Sequence, residues 1–168
     1  MVNKIRVGVA DTMFSRGDMG GLAEKTLREY SRQRKWPVEV VRVTVPGMKD
    51  LPVACKRLLE EKNCAIALAF AFVGGEDIDE TCAFEAGIGL QFAQLLSNKH
   101  ILGVFVYTRE AMGRGGEVDA KKLAAIMRDR VTKHAKNALE MIFDPDSLKK
   151  RAGTGQRQGG KNAGGWKL

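Results

Sequence analysis

The stretch with the most suggestive chemistry covers residues 44–56, Thr-Val-Pro-Gly-Met-Lys-Asp-Leu-Pro-Val-Ala-Cys-Lys, at the end of an apolar segment. A Pro-Gly pair breaks that segment, and Asp50 can cap a following helix that tolerates Pro52 in its first turn. Ligands of open α/β sheets bind beside such strand-to-helix junctions. Lys49 and Asp50 are therefore candidate site residues, and the alternative is an ordinary connecting loop.

Four other side chains could take part in chemistry, and each has a structural alternative. Phe14 follows the first apolar segment, where its ring either packs beneath a loop or stacks on an aromatic ligand. Glu85 lies among small and apolar residues, either as a carboxylate at the edge of a buried stripe or as a partly buried acid or base. Arg130 and His134 share one helix face, either as a satisfied pair beside the core or as a cationic pair that meets an anion or a polyol.

Several common kinds of chemistry have no sequence signature here. We find no Ser-His-Asp arrangement, no cysteine-nucleophile motif, no histidine-rich metal cluster and no glycine-rich nucleotide fingerprint. An aromatic ring, backbone amides, one lysine and a few carboxylates instead suit the binding of a flat polar heterocycle. They also suit proton transfer better than covalent catalysis.

The elements that must position these residues form four successive strand–helix units. Hydrophobic periodicity predicts strands over 4–11, 38–45, 64–72 and 100–107, and helices over 18–34, 50–62, 79–97 and 119–142, with a short helix near 146–151. This order predicts an α/β fold of three layers, in which helices flank a four-stranded parallel sheet. We expect one catalytic domain over 1–151 and a basic, Gly-rich tail over 152–168 that is disordered or orders with a partner.

The third helix is unusually rich in small residues. Its predicted buried stripe is Cys82, Ala86, Leu90, Ala93 and Leu96. Interior glycines cost about 1 kcal/mol each relative to alanine. We therefore expect this helix to pack closely, either at a subunit interface or on the sheet.

Composition and charge restrict the class of protein. The chain has 168 residues and a net charge of +8, but residues 147–168 contain six basic and no acidic side chains, which leaves +2 for the rest. We therefore consider a nucleic-acid partner unlikely. The sequence shows no secretory signal and no apolar run that could span a membrane, and three cysteines without metal spacing suggest reduced thiols in a cytoplasmic protein.

With these residues in view, the chain resembles the archaeal riboflavin synthases, which are related to 6,7-dimethyl-8-ribityllumazine synthase. The stretch from Thr44 to Glu61 carries the resemblance, supported by Val-Ala-Asp-Thr-Met-Phe-Ser-Arg-Gly-Asp-Met from Val9, Cys-Ala-Phe-Glu-Ala-Gly-Ile-Gly-Leu from Cys82, Ala-Gln-Leu-Leu-Ser-Asn-Lys-His from Ala93, and Arg-Ala-Gly-Thr-Gly-Gln-Arg-Gln-Gly from Arg151. It covers roughly residues 5–159. It implies a lumazine-synthase-like fold with flavodoxin-like topology.

The resemblance also implies an activity. Two molecules of 6,7-dimethyl-8-ribityllumazine would exchange a four-carbon unit, which yields riboflavin and 5-amino-6-ribitylamino-pyrimidinedione. The resemblance further implies a homopentamer with active sites between subunits, assistance by Mg²⁺ and no tightly bound organic cofactor. The resemblance places Lys49, Glu85 and His134 in catalysis. It assigns substrate binding to Thr12, Phe14, Val45, Pro46, Gly47, Met48, Asp50, Leu51, Pro52, Phe72, Val73, Gly74 and Arg130.

Two departures from the relatives affect what can be carried over. Lumazine synthases have a catalytic histidine after the turn that corresponds to residues 75–79, which contain none here. This argues against lumazine synthase activity. The alternatives to a riboflavin synthase remain a lumazine synthase and a non-catalytic lumazine- or flavin-binding protein. Archaeal relatives often have histidine before the glutamate of the third helix, where this chain has Phe84.

Overall fold

The computed structural model describes residues 3–166 and has a single sheet between two layers of helices. The strands are β1 (Ile5–Thr12), β2 (Val38–Val45), β3 (Ile66–Val73) and β4 (Ile101–Tyr107). The helices are α1 (Met19–Gln33), α2 (Leu51–Glu60), α3 (Asp77–Ser97), α4 (Ala120–Phe143) and α5 (Pro145–Lys150). Short 3₁₀ turns precede α2 and follow β4. The predicted elements are thus confirmed to within a few residues at each boundary.

The sheet is parallel throughout, in the order β2-β1-β3-β4. Every residue of β3 is buried, as expected for a strand covered on both faces. One core lies between the sheet and α1 and α4, and a second lies between the sheet and α2 and α3. The predicted α/β fold of three layers is confirmed.

The third helix packs partly as expected. Ala83, Ala86, Leu90 and Ala93 are buried, whereas Leu96 of the predicted stripe is 73% exposed. A Cβ atom at position 89 would lie 2.7 Å from the Cγ atom of Pro52, so this glycine allows α3 to approach α2 closely. A separate apolar stripe on α3 is exposed and includes Phe84, Ile88, Phe92, Leu95 and Leu96.

The tail, expected to be disordered or to order with a partner, contacts α4 through residues 157–159. The Gly159 amide donates to Asp129 Oδ2 at 2.7 Å, and Lys133 Nζ donates to the Arg157 carbonyl at 3.0 Å. Gly159 has a φ of +77°, and a Cβ there would lie 2.4 Å from Arg130 Nε. Glycine thus permits a close approach of the tail to α4, whereas the glycine content alone suggested flexibility. Over residues 3–166, no helix is long and apolar enough to cross a bilayer.

Candidate active site at the carboxyl ends of the strands

The ends of all four strands are tied together at one edge of the sheet. Thr12 is in register with Val45, and the Met13 amide donates to the Val45 carbonyl at 2.8 Å. On the other side, the Thr108 hydroxyl donates to the Val73 carbonyl at 2.9 Å. The loops that carry the candidate residues therefore start from a fixed platform.

A cleft of about 670 Å³ opens at this edge, between the loop after β1 and the first turns of α4. Phe14, Phe72 and Gly74 line it, and the Phe14 and Phe72 ring centroids are 6.2 Å apart at an angle of 45°. Phe14 is 56% exposed, so the ring is not packed beneath its loop. The cleft is of the size that holds small molecules and offers an accessible aromatic face.

The turn after β2 differs in one detail from its predicted form. The Asp50 carboxylate accepts a hydrogen bond from the Gly47 amide at 3.1 Å and does not cap α2 with its side chain. A 3₁₀ turn over Met48–Asp50 separates the strand from the helix, which shifts the carboxylate back toward the strand end. Asp50 is therefore the N-cap residue of α2 by position, as predicted, but its side chain does not make the capping hydrogen bond.

Lys49 and Glu85 form an ion pair. Lys49 Nζ lies 2.6 Å from Glu85 Oε2, and both side chains are at least half exposed. The hydrogen bond to Glu85 and the charge of that carboxylate raise the pKa of Lys49. Lys49 is therefore a stable cation, suited to stabilise developing negative charge rather than to accept a proton.

The remaining candidates of this region separate into three groups. Val45, Pro46, Lys49 and Asp50 line a separate groove of about 590 Å³ between β2 and α2, which shares no lining residue with the cleft. Met48, Leu51 and Val73 have buried side chains, so only their backbones are available to a ligand. The Thr12 hydroxyl donates to the Phe14 carbonyl at 2.9 Å and thereby holds the loop.

The predicted cationic pair Arg130 and His134 is not brought to the cleft of its own subunit. Arg130 Nη1 donates to Glu110 Oε1 at 2.7 Å and to the Phe105 carbonyl at 2.6 Å, and its side chain is only 15% exposed. Its guanidinium thus has partners within the subunit, as in the structural alternative for this pair.

His134 lies deeper along the same helix. Its Nδ1 atom donates to the Arg130 carbonyl at 2.8 Å. The last residue of α4 that lines the cleft is Arg128. His134 lies six positions further along the helix, which is a rise of about 9 Å along its axis. His134 is therefore not positioned to reach a ligand in this cleft.

The environment of His134 leads to a prediction about pH. Burial lowers the pKa of His134, against an opposing effect of its hydrogen bond to the Arg130 carbonyl. The folded state thus binds this proton less readily than the unfolded state, whose histidine pKa is about 6.5. We expect stability to be full above that value and to decrease as the pH falls below it.

The measurement is the thermal unfolding midpoint between pH 7.5 and 5.5. The decrease should be smaller in His134→Gln than in the wild type, and His100→Gln, at the other histidine of the chain, serves as the matched control. An equal decrease in the wild type and in His134→Gln would show that His134 is not responsible.

Sequence reasoning missed one group of polar residues at this edge. Asp11 is 5% exposed, and Arg42 Nη2 lies 2.6 Å from Asp11 Oδ2 and 2.7 Å from Asp18 Oδ1. The Gly21 amide, together with the Arg42 guanidinium, holds the pKa of Asp18 below its usual value. An aspartate at the end of an apolar strand was the available signal, but its partner lies 31 residues away in the chain.

The described residues offer limited means of holding a metal ion. No group of three His, Cys, Asp or Glu side chains in residues 3–166 is arranged to ligate one. Asp11 and Asp18 share Arg42, and Asp79 accepts the Glu76 amide. Since Arg42 already pairs with Asp11 and Asp18, Asp79 is the one of these three that could join substrate and water in holding Mg²⁺, which fits a shared ion better than a resident one.

Comparison with known proteins places this geometry among its relatives. Residues 4–145 match the family model of 6,7-dimethyl-8-ribityllumazine synthase. A protein of Methanothermobacter thermautotrophicus named riboflavin synthase is 44% identical over 160 residues, which are 95% of this chain and 98% of that protein. The riboflavin synthase of Archaeoglobus fulgidus is 41% identical over 160 residues, or 95% and 97% of the two chains. A 6,7-dimethyl-8-ribityllumazine synthase of Burkholderia mallei is 27% identical over 139 residues, or 82% and 75%.

Proposed function

We infer that this chain, which belongs to the 6,7-dimethyl-8-ribityllumazine synthase family, is a riboflavin synthase, because the two similar archaeal proteins described above carry that name. The observation that carries this inference is 44% identity to a riboflavin synthase over 95% of the chain, against 27% identity to a lumazine synthase. The reaction is a dismutation of two molecules of 6,7-dimethyl-8-ribityllumazine. Riboflavin and 5-amino-6-ribitylamino-pyrimidinedione are the products.

The chemistry of this substrate makes modest demands on the protein. The 7-methyl group is acidic because its carbanion is delocalised into the heterocycle, so a carboxylate base is strong enough to remove the proton. Holding two substrate molecules face to face supplies a large part of the rate acceleration. A site with an accessible aromatic ring, a cation and a carboxylate meets these demands.

We assign roles to three residues at the sheet edge, of which Phe14 lines the cleft and Lys49 lines the separate groove, so that the proposed site between subunits would have to bring them to one substrate pair. Phe14, which is half exposed beside Phe72, stacks on one heterocycle. Lys49 stabilises the negative charge that develops on the ring, since its ion pair keeps it protonated. Glu85, 2.6 Å from Lys49, accepts and returns the methyl proton. Within one subunit, the position of His134 on α4 argues against His134 as the base.

Magnesium is proposed as an activator. Divalent charge next to the substrate would add to that of Lys49 in stabilising the deprotonated methyl group. Asp50 and Asp79 accept backbone amides rather than a cation, so either could share an ion with substrate and water. Magnesium should raise turnover in a titration, and equal turnover in EDTA would count against this proposal.

A homopentamer is proposed for the assembly, with active sites between subunits. The supporting feature is the exposed apolar stripe of α3, in which Phe84, Ile88 and Phe92 recur every four residues and are 70%, 43% and 62% exposed. Contiguous exposed apolar surface of this kind marks an interaction site. Glu85 follows Phe84 of this stripe, so a neighbouring subunit that covers the stripe would border the proposed base.

This proposal makes a testable prediction. Phe92→Glu would place a charge in the buried interface, and we expect it to convert the pentamer to smaller species and to lower turnover in parallel. Light scattering coupled to size exclusion measures the mass, and Met112→Glu makes the same change at an exposed apolar residue outside α3. A wild-type monomer, or a Phe92→Glu pentamer of full mass, would contradict the proposal.

A cytoplasmic location is also proposed. Its support is that Cys55, Cys64 and Cys82 are all free thiols, as is usual in a reducing compartment.

A further inference from the structure

We propose that Arg42 is a positioning residue of this active site. Its side chain holds both ends of the loop that carries Phe14. The inference rests on the proposed function, since Phe14 is taken to stack on the substrate. No contact of Arg42 with the cleft itself is involved.

The first end of the loop is Asp11, at the end of β1. Asp11 is 5% exposed, and its carboxylate is held on both oxygens. Oδ2 accepts from Arg42 Nη2 at 2.6 Å, while Oδ1 accepts from Arg42 Nε at 3.3 Å and from the Thr44 hydroxyl at 2.8 Å. The guanidinium is thus fixed in a two-pronged contact that lysine cannot reproduce.

The second end of the loop is Asp18, the residue that caps α1. The same Nη2 atom of Arg42 donates to Asp18 Oδ1 at 2.7 Å, and that oxygen also accepts the Gly21 amide at 2.8 Å. A Cβ atom at Gly20 would lie 2.3 Å from Asp11 Oδ2, so the first turn of α1 rests directly on the Asp11 carboxylate. One side chain of β2 therefore joins the end of β1 to the start of α1.

Between these two ends, the Met13 amide donates to the Val45 carbonyl at 2.8 Å, and side-chain hydrogen bonds hold the rest of the loop. The Thr12 hydroxyl donates to the Phe14 carbonyl at 2.9 Å, and the Ser15 hydroxyl donates to the Gly17 carbonyl at 2.7 Å. The Phe14 ring is 56% exposed and meets the Phe72 ring at a centroid distance of 6.2 Å. Because packing covers less than half of this ring, the positions of the loop ends decide where the ring lies.

A purely stabilising role for Arg42 is the competing explanation, and a double-mutant cycle separates the two. The cycle comprises the wild type, Arg42→Met, Phe14→Ala and the double variant, each measured for kcat, KM and the Kd of 6,7-dimethyl-8-ribityllumazine by fluorescence. Arg6→Met is the matched control, because it removes another arginine paired across β1 and β2, with Glu39, at the opposite end of the strands. Arg42→Lys is included as a variant that keeps the charge.

Positioning predicts a specific pattern. Arg42→Met should lower kcat/KM about 10-fold to 100-fold, since misplacement of a positioning group by about 1 Å has effects of this size. The double variant should fall within about 3-fold of Phe14→Ala alone, because Arg42 would act through that ring. Arg42→Lys should recover only part of the loss, and Arg6→Met should match the wild type.

Trypsin cleavage after Arg16 gives a readout independent of turnover, because Arg16 is an exposed residue of this loop. Faster cleavage in Arg42→Met than in Arg6→Met supports the proposal. Effects of Arg42→Met and Phe14→Ala that simply multiply, or wild-type kcat/KM in Arg42→Met, would overturn it. If the wild type forms no riboflavin, the proposed function fails separately, and the same cycle is then decided on Kd and on cleavage after Arg16.

Discussion

Replacing Lys49 with methionine is expected to lower kcat for riboflavin formation about 100-fold to 1000-fold, the usual effect of removing one group that stabilises developing charge. The reason lies in the pairing of Lys49 with Glu85 at 2.6 Å, which keeps the ammonium protonated beside the proposed base. Methionine has similar length and no charge, so the substitution removes the electrostatic contribution with little change in shape.

Steady-state kinetics with 6,7-dimethyl-8-ribityllumazine measures this effect. The matched control is Lys56→Met, which removes the lysine of the Lys56–Glu60 ion pair on α2 and should leave kcat within about 2-fold of the wild type. Glu85→Gln should also lower kcat, because the amide cannot accept the methyl proton. A Lys49→Met variant with wild-type kcat would remove Lys49 from the mechanism.

Replacing Glu140 with alanine is expected to have the largest effect on stability, a loss of about 2–3 kcal/mol in the free energy of unfolding, because its hydrogen bonds involve a charged group while Arg151 stays partly solvated without it. Glu140 is 6% exposed on α4 and joins three elements. The Tyr30 hydroxyl of α1 donates to Oε1 at 2.9 Å, and Arg151, after α5, pairs with Oε2. Burial and the neighbouring Glu140 carboxylate raise the pKa of Tyr30, so the phenol remains a donor.

Denaturant unfolding at a fixed protein concentration measures this loss. Glu61→Ala is the control, because its ion pair with Arg57 spans 3.6 Å between side chains more than 60% exposed and should contribute less than about 1 kcal/mol. Glu140→Gln keeps the shape and an acceptor for Tyr30 and should lose less than Glu140→Ala. Similar midpoints for Glu140→Ala and Glu61→Ala would show that the buried contacts contribute little.

Much of the fold could be predicted because its determinants are local in sequence. The continuous apolar run of β3 and the alternation of strands with helices led directly to the parallel sheet. Aspartate favours the N-cap position, and Asp119 at the start of α4 does accept the Lys122 amide at 2.9 Å. These signals depend on neighbouring residues, which a sequence displays in order.

The candidate site was predictable in its location and less so in its members. The carboxyl ends of parallel strands meet at one edge, which directed attention to Phe14 and to the turn after β2. The partners of Arg130 could not be predicted, because nothing near it in sequence shows that it bonds to Glu110 and to the Phe105 carbonyl. The contact of the tail with α4 could not be predicted either, because glycine content is compatible with flexibility and with close contact alike.

The central claim, riboflavin synthase activity, is tested most directly by incubating the purified protein with 6,7-dimethyl-8-ribityllumazine as the sole substrate, with and without Mg²⁺. Absorbance and fluorescence then follow the two compounds. We predict one riboflavin formed for every two lumazine molecules consumed, with the pyrimidinedione as the second product. If well-folded protein binds the lumazine but consumes none of it, the claim is contradicted, and the result indicates a lumazine-binding protein.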